Sequence, residues 1–267
     1  MNLALDHIVH FIQHHPNAAV EEWEKLGFHA VMGGSHENWG TFNSLLYVGE
    51  SYIEYLAIEN IAIAAKSDNP LISQFVKDLP NGEGIGQICF RTNNMLQLKE
   101  VLEAKGSKTY PIFNGSRKRQ DGTMIKWKML FIKDQSSLPY PFFIEWEQEN
   151  SIRMKDLKAL GYLDERLMEH SIHSIYVAVN DCEFAARDWA NLFHFVLTDI
   201  HIDEQLALKK AILKGKSFEI HFCQPLHEES SISKILAKRG ERPFKINFEP
   251  SPSLEVESIS LFSVKYK

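Results

Sequence analysis

A pattern of predicted strands and helices occurs twice early in the chain, and this repeat constrains the fold more than any single motif. Each copy has an alternating apolar strand, an amphipathic helix that ends at a glycine, and three further strands. The predicted order is therefore β-α-β-β-β. The copies span residues 1–62 and 83–150 of the 267-residue chain.

Matching turns align the two copies. The shared Gly-Ser and Gly-Thr pairs are Gly34-Ser35, Gly40-Thr41, Gly115-Ser116 and Gly122-Thr123. In this alignment Gln87 takes the place of His7 on the first strand, and Glu145 takes the place of Glu54 on the fourth strand. Each copy thus offers one imidazole or amide and one carboxylate at corresponding positions.

A third, degenerate copy of the pattern occupies residues 165–267 and ends in further strand-like segments. Ser174 stands at the His7 position, and the Glu54 position falls on His221 or Glu219. The predicted fold class is α+β, with tandem βαβββ modules paired into a curved mixed sheet. We expect residues 1–150 to form the paired modules and residues 165–267 to form the degenerate one.

Composition excludes several other classes of protein. Hydrophobic residues make up 44% of the chain and charged residues 24%, which is typical of a soluble globular protein. The net charge of −6 argues against general affinity for nucleic acid or membranes. Three widely spaced cysteines provide neither a disulfide framework nor zinc-ribbon spacing, and no signal peptide or spanning segment is recognisable. We therefore expect a cytoplasmic location.

Glu54 lies in the middle of a strand, residues 51–58, that is apolar on both faces. A buried carboxylate needs an ion pair, hydrogen bonds or a metal, and taken alone an ion pair or a wet edge strand is favoured. If two modules close face to face, however, His7, Glu54, Gln87 and Glu145 converge in one cup. Imidazole, carboxylate and amide donors suit a divalent metal such as zinc, nickel, iron or manganese.

Three segments resemble the glyoxalase-like family of the vicinal oxygen chelate superfamily. They are Leu5-Asp6-His7-Ile8-Val9, the Gly33-Gly34-x-His36 … Gly40-Thr41-x-Asn43 turn, and Tyr52-Ile53-Glu54-Tyr55-Leu56. The resemblance implies a cup of paired modules with the four residues above as ligands of a divalent metal, and a substrate that chelates through adjacent oxygens. Gln87 in place of a second histidine is compatible with glyoxalase I-like sites and speaks against an extradiol dioxygenase.

The resemblance implies a metal-dependent lyase or isomerase that acts on a small α-oxo substrate, with Glu145 or Glu54 moving the proton next to the carbonyl. His36, Arg117 and Trp127 are candidate substrate-binding residues, although a turn, a solvated loop and sheet packing explain them equally well. His10 is expected on the opposite face from His7 and in contact with solvent.

A second hypothesis is a metal-free protein of the same fold that binds or sequesters a small molecule. In that case His7 and Glu54 would be tied to protein partners instead of converging with Gln87 and Glu145. The expected partner is a small molecule in both hypotheses, and a homodimer is left open.

Overall fold

A computed structural model describes residues 3–118, 122–133, 136–250 and 259–267, with the side chain of Lys118 excepted. The strands, numbered in chain order, are Ala4–Phe11 (β1), Val31–His36 (β2), Thr41–Val48 (β3), Ser51–Ile58 (β4), Gly84–Arg91 (β5), Lys108–Thr109 (β6), Phe113–Lys118 (β7), Met124–Leu130 (β8), Ile132–Lys133 (β9), Phe142–Trp146 (β10), Ser171–Ala178 (β11), Val196–Asp203 (β12), Leu208–Lys214 (β13), Glu219–Pro225 (β14), Arg242–Glu249 (β15), Ile259–Leu261 (β16) and Val264–Tyr266 (β17).

The helices are Asn17–Lys25 (α1), Ile61–Ala64 (α2), Pro70–Asp78 (α3), Met95–Ala104 (α4), Asn150–Ala159 (α5), Cys182–Phe193 (α6) and Ser231–Arg239 (α7). Three short 3₁₀ helices span Glu37–Trp39, Leu79–Asn81 and Glu165–Leu167. Among the helices of the described residues, none is long and apolar enough to cross a membrane.

The first sheet has eight strands in the order β2-β3-β4-β1-β5-β10-β8-β7. Strands β1 and β5, the first strands of the two predicted modules, pair antiparallel at its centre. Strands β2 and β7 lie at the two ends of the order and contact each other, so the sheet curves until it is nearly closed. The predicted pairing of two βαβββ modules into one curved mixed sheet is confirmed.

The second sheet has the order β12-β13-β14-β11-β15-β17-β16. Strands β11 to β14 with α6 form the third module, and β15 pairs antiparallel with β11 as β5 does with β1. Asp181 caps the start of α6, because its side chain accepts a hydrogen bond from the backbone N–H of Phe184. The predicted third βαβββ module is confirmed, and residues 251–258, within the predicted C-terminal strand-like segments, lie outside the described residues.

One hydrophobic core joins the two sheets. Phe90 of β5 stacks on Phe218, which precedes β14, with ring centroids 5.2 Å apart. A second contact between the sheets is the hydrogen bond of His10 of β1 with Tyr266 of β17, with 2.6 Å between Nδ1 and the hydroxyl oxygen. His10 is fully buried, so the expectation that it contacts solvent was wrong. The face opposite His7 is covered by the C-terminal hairpin.

Two local features depart from the simple repeat. The Gly33-Gly34 pair of the turn motif lies within β2, where a bulge accommodates it. The segment between α4 and β8 is divided into β6, which pairs with β9, and β7, which starts at Phe113. A proline at position 111 separates the two, and proline lacks the N–H that a continuous ladder requires.

Helix α3 packs on the concave face of the first sheet. Asn69 caps its first turn, and its apolar side Leu71, Ile72 and Phe75 is buried. The ring of Phe75 stacks on that of Phe11 at 4.3 Å. This helix fills part of the cup that the two modules enclose and forms one wall of the space that remains.

Candidate functional site

A cavity lies on the concave face of the first sheet, between the strands, α3 and α5. Most of its wall is apolar, and the aromatic side chains that contribute are Trp39, Tyr47, Tyr52, Trp127, Phe142 and Trp146. The polar and charged lining residues are His7, His36, Thr41, Asn43, Glu54, Arg117 and Arg153. The space that the centre of a water molecule can occupy within it is about 60 Å³. An apolar cavity with a few convergent polar groups is typical of a small-molecule site.

His7 is held by the residue before it. A bulge between Leu5 and His7 interrupts the β1–β5 ladder, and Asp6 Oδ1 lies 2.7 Å from His7 Nδ1. Because an ionised carboxylate can only accept, Nδ1 carries a proton, and in the neutral form of the ring Nε2 is an acceptor. The imidazole also stacks on Tyr52, with centroids 4.6 Å apart.

Asp6 is a fully buried carboxylate with several partners. Trp146 Nε1 donates to its Oδ2 at 2.9 Å, and the guanidinium groups of Arg91 and Arg153 lie 3.7 and 3.8 Å from the same oxygen. Burial alone would raise the pKa of Asp6, but the hydrogen bond from His7 and the charges of Arg153, His7 and Arg91 lower it to about 2. Asp6 therefore stays ionised and fixes the orientation of His7.

Glu54 faces His7 across the cavity wall. Its Oε2 lies 3.6 Å from His7 Nε2, and its Oε1 accepts a hydrogen bond of 2.6 Å from Asn43 Nδ2. The other end of the Asn43 amide accepts a bond of 3.0 Å from Arg117 Nη1. Asn43 thus links the carboxylate to the guanidinium.

Gly33 makes room for this link. A Cβ atom on residue 33 would lie 2.0 Å from Asn43 Oδ1 and 2.2 Å from Arg117 Nη1. Any larger residue at this position would displace the amide or the guanidinium. The Gly33-Gly34 pair of the sequence motif therefore has a steric role at the site.

His36 lies next to Arg117 in the cavity wall. Its Nδ1 is 3.1 Å from Thr41 Oγ1, and its ring contacts those of Trp39 and Trp127 at 5.7 and 6.1 Å between centroids. Burial, with the nearby charge of Arg117, lowers the pKa of His36 to about 3. His36 is therefore a neutral side chain at neutral pH. All three residues predicted to bind substrate, His36, Arg117 and Trp127, line the cavity.

Gln87 does not join His7 and Glu54. Its amide nitrogen donates to Gln74 Oε1 of α3 at 2.6 Å, and Gln74 in turn donates to the backbone carbonyl of Gly86. Helix α3 covers this end of β5, so Gln87 lines a separate surface pocket with Gln74 and Tyr110.

Glu145 is also placed away from the cavity. Its neighbours Ile144 and Trp146 line the cavity, whereas its carboxylate bonds to Lys128 Nζ at 2.8 Å and to the backbone N–H of Met95 at 2.5 Å. Side chains alternate along a strand, so an alignment error of one residue moves a side chain to the other face. Ile144, rather than Glu145, faces the cavity in the second module.

The structure therefore brings together two of the four residues predicted to bind a metal. A second group, Asp6, His7 and Cys89, has its donor atoms within 4.8 Å of one another. In that group, however, the Nδ1 proton of His7 is used in the bond to Asp6, and burial raises the pKa of Cys89 well above its usual value. The donors that the described residues present do not fit a complete metal centre.

Sequence patterning missed part of this site. Asp6 and Asn43 lie within the quoted motifs, next to or near residues that were singled out, but nothing in the pattern shows which way they point. Arg153 lies on α5, outside both modules, and reaches the cavity through tertiary packing alone. Its guanidinium lies 4.8 Å from the Trp146 ring centroid.

Fold and site together define a class of protein. Residues 5–193 match the family model of the glyoxalase-like domain. Since this match covers more than half of the chain, the protein belongs to the glyoxalase-like family of the vicinal oxygen chelate superfamily. The resemblance inferred from three sequence segments is confirmed.

Solved structures support the same fold. A hypothetical protein from Staphylococcus aureus has a TM-score of 0.80 and 22% identity, with 99% of this chain and 98% of that chain covered. A mutant 4-hydroxymandelate synthase from Streptomyces coelicolor has a TM-score of 0.61 and 10% identity, with 92% and 71% covered. At these identities the likeness concerns the fold alone. No match was found among curated protein sequences.

Proposed function

We propose that this protein binds a small organic molecule in the cavity of the first sheet, without a coordinated metal. One observation carries the proposal. His7 and Glu54 are held by Asp6 and Asn43, while Gln87 and Glu145 are engaged elsewhere. This arrangement matches the metal-free alternative that the sequence leaves open.

The cavity supplies both surface and polarity for such a ligand. Its aromatic walls offer contact with an apolar body, and His7 Nε2 and the Glu54 carboxylate offer acceptors for one O–H or N–H group. Because Asp6 fixes the imidazole, this acceptor pair needs little reorganisation when a ligand enters.

Thermal shift measurements on chelator-treated protein test the proposal. We expect at least one compound of a small-molecule panel to raise the melting temperature without added metal, and Glu54→Gln to weaken that effect. Glu145→Gln is the matched control, because it removes a carboxylate outside the cavity and should leave the ligand effect unchanged. If no compound binds to the chelated protein, or if Glu54→Gln has no effect, the proposal is wrong.

A metal-dependent lyase or isomerase of the glyoxalase type is the second candidate. The specific observation in its favour is that His7 Nε2 and Glu54 Oε2 face each other at 3.6 Å, with Asp6 behind the imidazole. A carboxylate on the far nitrogen is typical of ligating histidines. Equilibrium dialysis with zinc, nickel, iron and manganese separates the candidates, since stoichiometric binding that His7→Ala abolishes would favour the enzyme.

A further inference from the structure

Arg117 is a buried cation without an anionic partner. The residue is 8% exposed, and its side-chain hydrogen bond within the described residues goes to the neutral amide of Asn43. Among the described residues no carboxylate lies within 4.0 Å of its guanidinium. Burial of an unpaired charge is costly, and protein cavities avoid it unless a counter-charge is supplied.

The other charges in the cavity do not fill this role. Glu54 is separated from Arg117 by Asn43 and has His7 as its facing partner. Arg153, the second cation of the lining, lies 3.8 Å from the Asp6 carboxylate. Neutral His36 adds no charge of its own. One positive charge in the cavity therefore lacks a local counter-charge.

The fold keeps this arginine in place. Gly33 leaves the space that the guanidinium and the Asn43 amide occupy. The rings of Trp39, Trp127 and neighbouring His36 contact one another. The planar guanidinium has five N–H donors, which suit bidentate recognition of a carboxylate. The hydrogen bond to Asn43 uses one of its nitrogens, and further donors remain for a ligand.

We infer that the cavity selects a small organic acid with a single negative charge, whose carboxylate pairs with Arg117 and whose apolar body contacts Trp39 and Trp127. This inference rests on the proposed function and names its ligand class. A carboxylate is favoured over a phosphate ester because a phosphate monoester carries close to two negative charges at neutral pH, whereas Arg117 is the one lining cation among the described residues that has no carboxylate within 4.0 Å. Glu54 and Asp6 disfavour a second negative charge.

Matched acids and amides provide the test. Glycolate, 2-hydroxybutyrate and 3-phenyllactate, whose hydroxyl can donate to the His7–Glu54 pair, would be titrated against their neutral amides by tryptophan fluorescence, with wild-type protein, Arg117→Met and Gly33→Ala. We expect at least one acid to bind wild-type protein about tenfold or more tightly than its amide, the range of a charge-assisted hydrogen bond. In Arg117→Met the acid and its amide should bind with equal affinity. Gly33→Ala, which keeps every charge but crowds the guanidinium, should reduce the preference.

The outcomes separate this inference from the proposed function. Equal binding of acids and amides, or a preference that survives in Arg117→Met, overturns the inference. So does a panel in which only neutral compounds raise the melting temperature, although the proposed function then stands. If no compound binds at all, both are wrong.

Discussion

At the scale of single residues, the site is a continuous chain of polar contacts. It runs from Asp6 through His7, Glu54 and Asn43 to Arg117. The Asp6–His7, Glu54–Asn43 and Asn43–Arg117 contacts are hydrogen bonds, so removal of Asn43 leaves two other groups without partners. A buried polar group that loses its partner destabilises the folded protein by more than the hydrogen bond itself contributed to stability.

Asn43→Ala should therefore destabilise the protein markedly. The substitution leaves the Glu54 carboxylate without its donor and Arg117 without its acceptor. Each loss should lower the free energy of unfolding by about 1–3 kcal/mol. Urea denaturation followed by circular dichroism measures the change in free energy of unfolding. Asn93→Ala removes an exposed amide and should change this energy little. Equal effects of the two substitutions would show that the chain of contacts does not stabilise the fold.

His10 should make stability depend on pH below neutrality. Burial, partly opposed by the bond to the Phe262 carbonyl, lowers the pKa of His10 to about 3, against 6.5 for an ordinary histidine. The unfolded chain therefore binds a proton between pH 6.5 and about 3 that the folded protein does not bind. The stabilisation is complete above pH 6.5 and falls by about 1.4 kcal/mol for each unit of pH below it.

Chemical denaturation at pH 7, 6 and 5 tests this dependence. His10→Gln should be less stable at pH 7 but should show a shallower loss of stability toward pH 5 than the wild-type protein. His227→Gln replaces an exposed histidine and should keep the wild-type slope. An unchanged slope in His10→Gln would mean that His10 is not neutral in the folded protein.

At the scale of secondary-structure elements, the repeat predicted the fold well and the site only in part. Apolar periodicity and turn residues define βαβββ modules, because these local signals act on each element separately. Glu145 lies on the opposite face of β10 from Ile144 and Trp146, which line the cavity, and the repeat alignment did not resolve which of these neighbouring positions faces inward. Gln87 bonds to Gln74 of α3 instead of facing His7 and Glu54. The position of α3 over β5 results from tertiary packing, which no local sequence pattern predicts.

Glu145 should act on a helix rather than on the ligand. Its carboxylate accepts from the backbone N–H of Met95 at the start of α4, where a negative charge is favourable. We expect Glu145→Gln to lower the free energy of unfolding by about 0.5–2 kcal/mol. Glu147→Gln, an exposed neighbour, should have a smaller effect in the same denaturation assay. A loss of ligand binding without a loss of stability in Glu145→Gln would contradict this role.

At the scale of the whole molecule, the two sheets depend on each other. The core contact between Phe90 and Phe218 and the hydrogen bond between His10 and Tyr266 both join the first sheet to the second part of the chain. We expect a fragment of residues 1–160 to lose cooperative unfolding, because these buried surfaces would face water. A well-dispersed NMR spectrum and a sharp thermal transition of the fragment would show instead that residues 1–150 fold by themselves.

The most direct test of the central claim is a crystal structure of the chelator-treated protein soaked with the tightest-binding acid of the panel and then with zinc. The account predicts ligand density in the cavity within hydrogen-bonding distance of Arg117, and no anomalous peak between His7 Nε2 and Glu54 Oε2. A zinc peak coordinated by His7 and Glu54, with Gln87 and Glu145 moved in to complete its ligands, would contradict it.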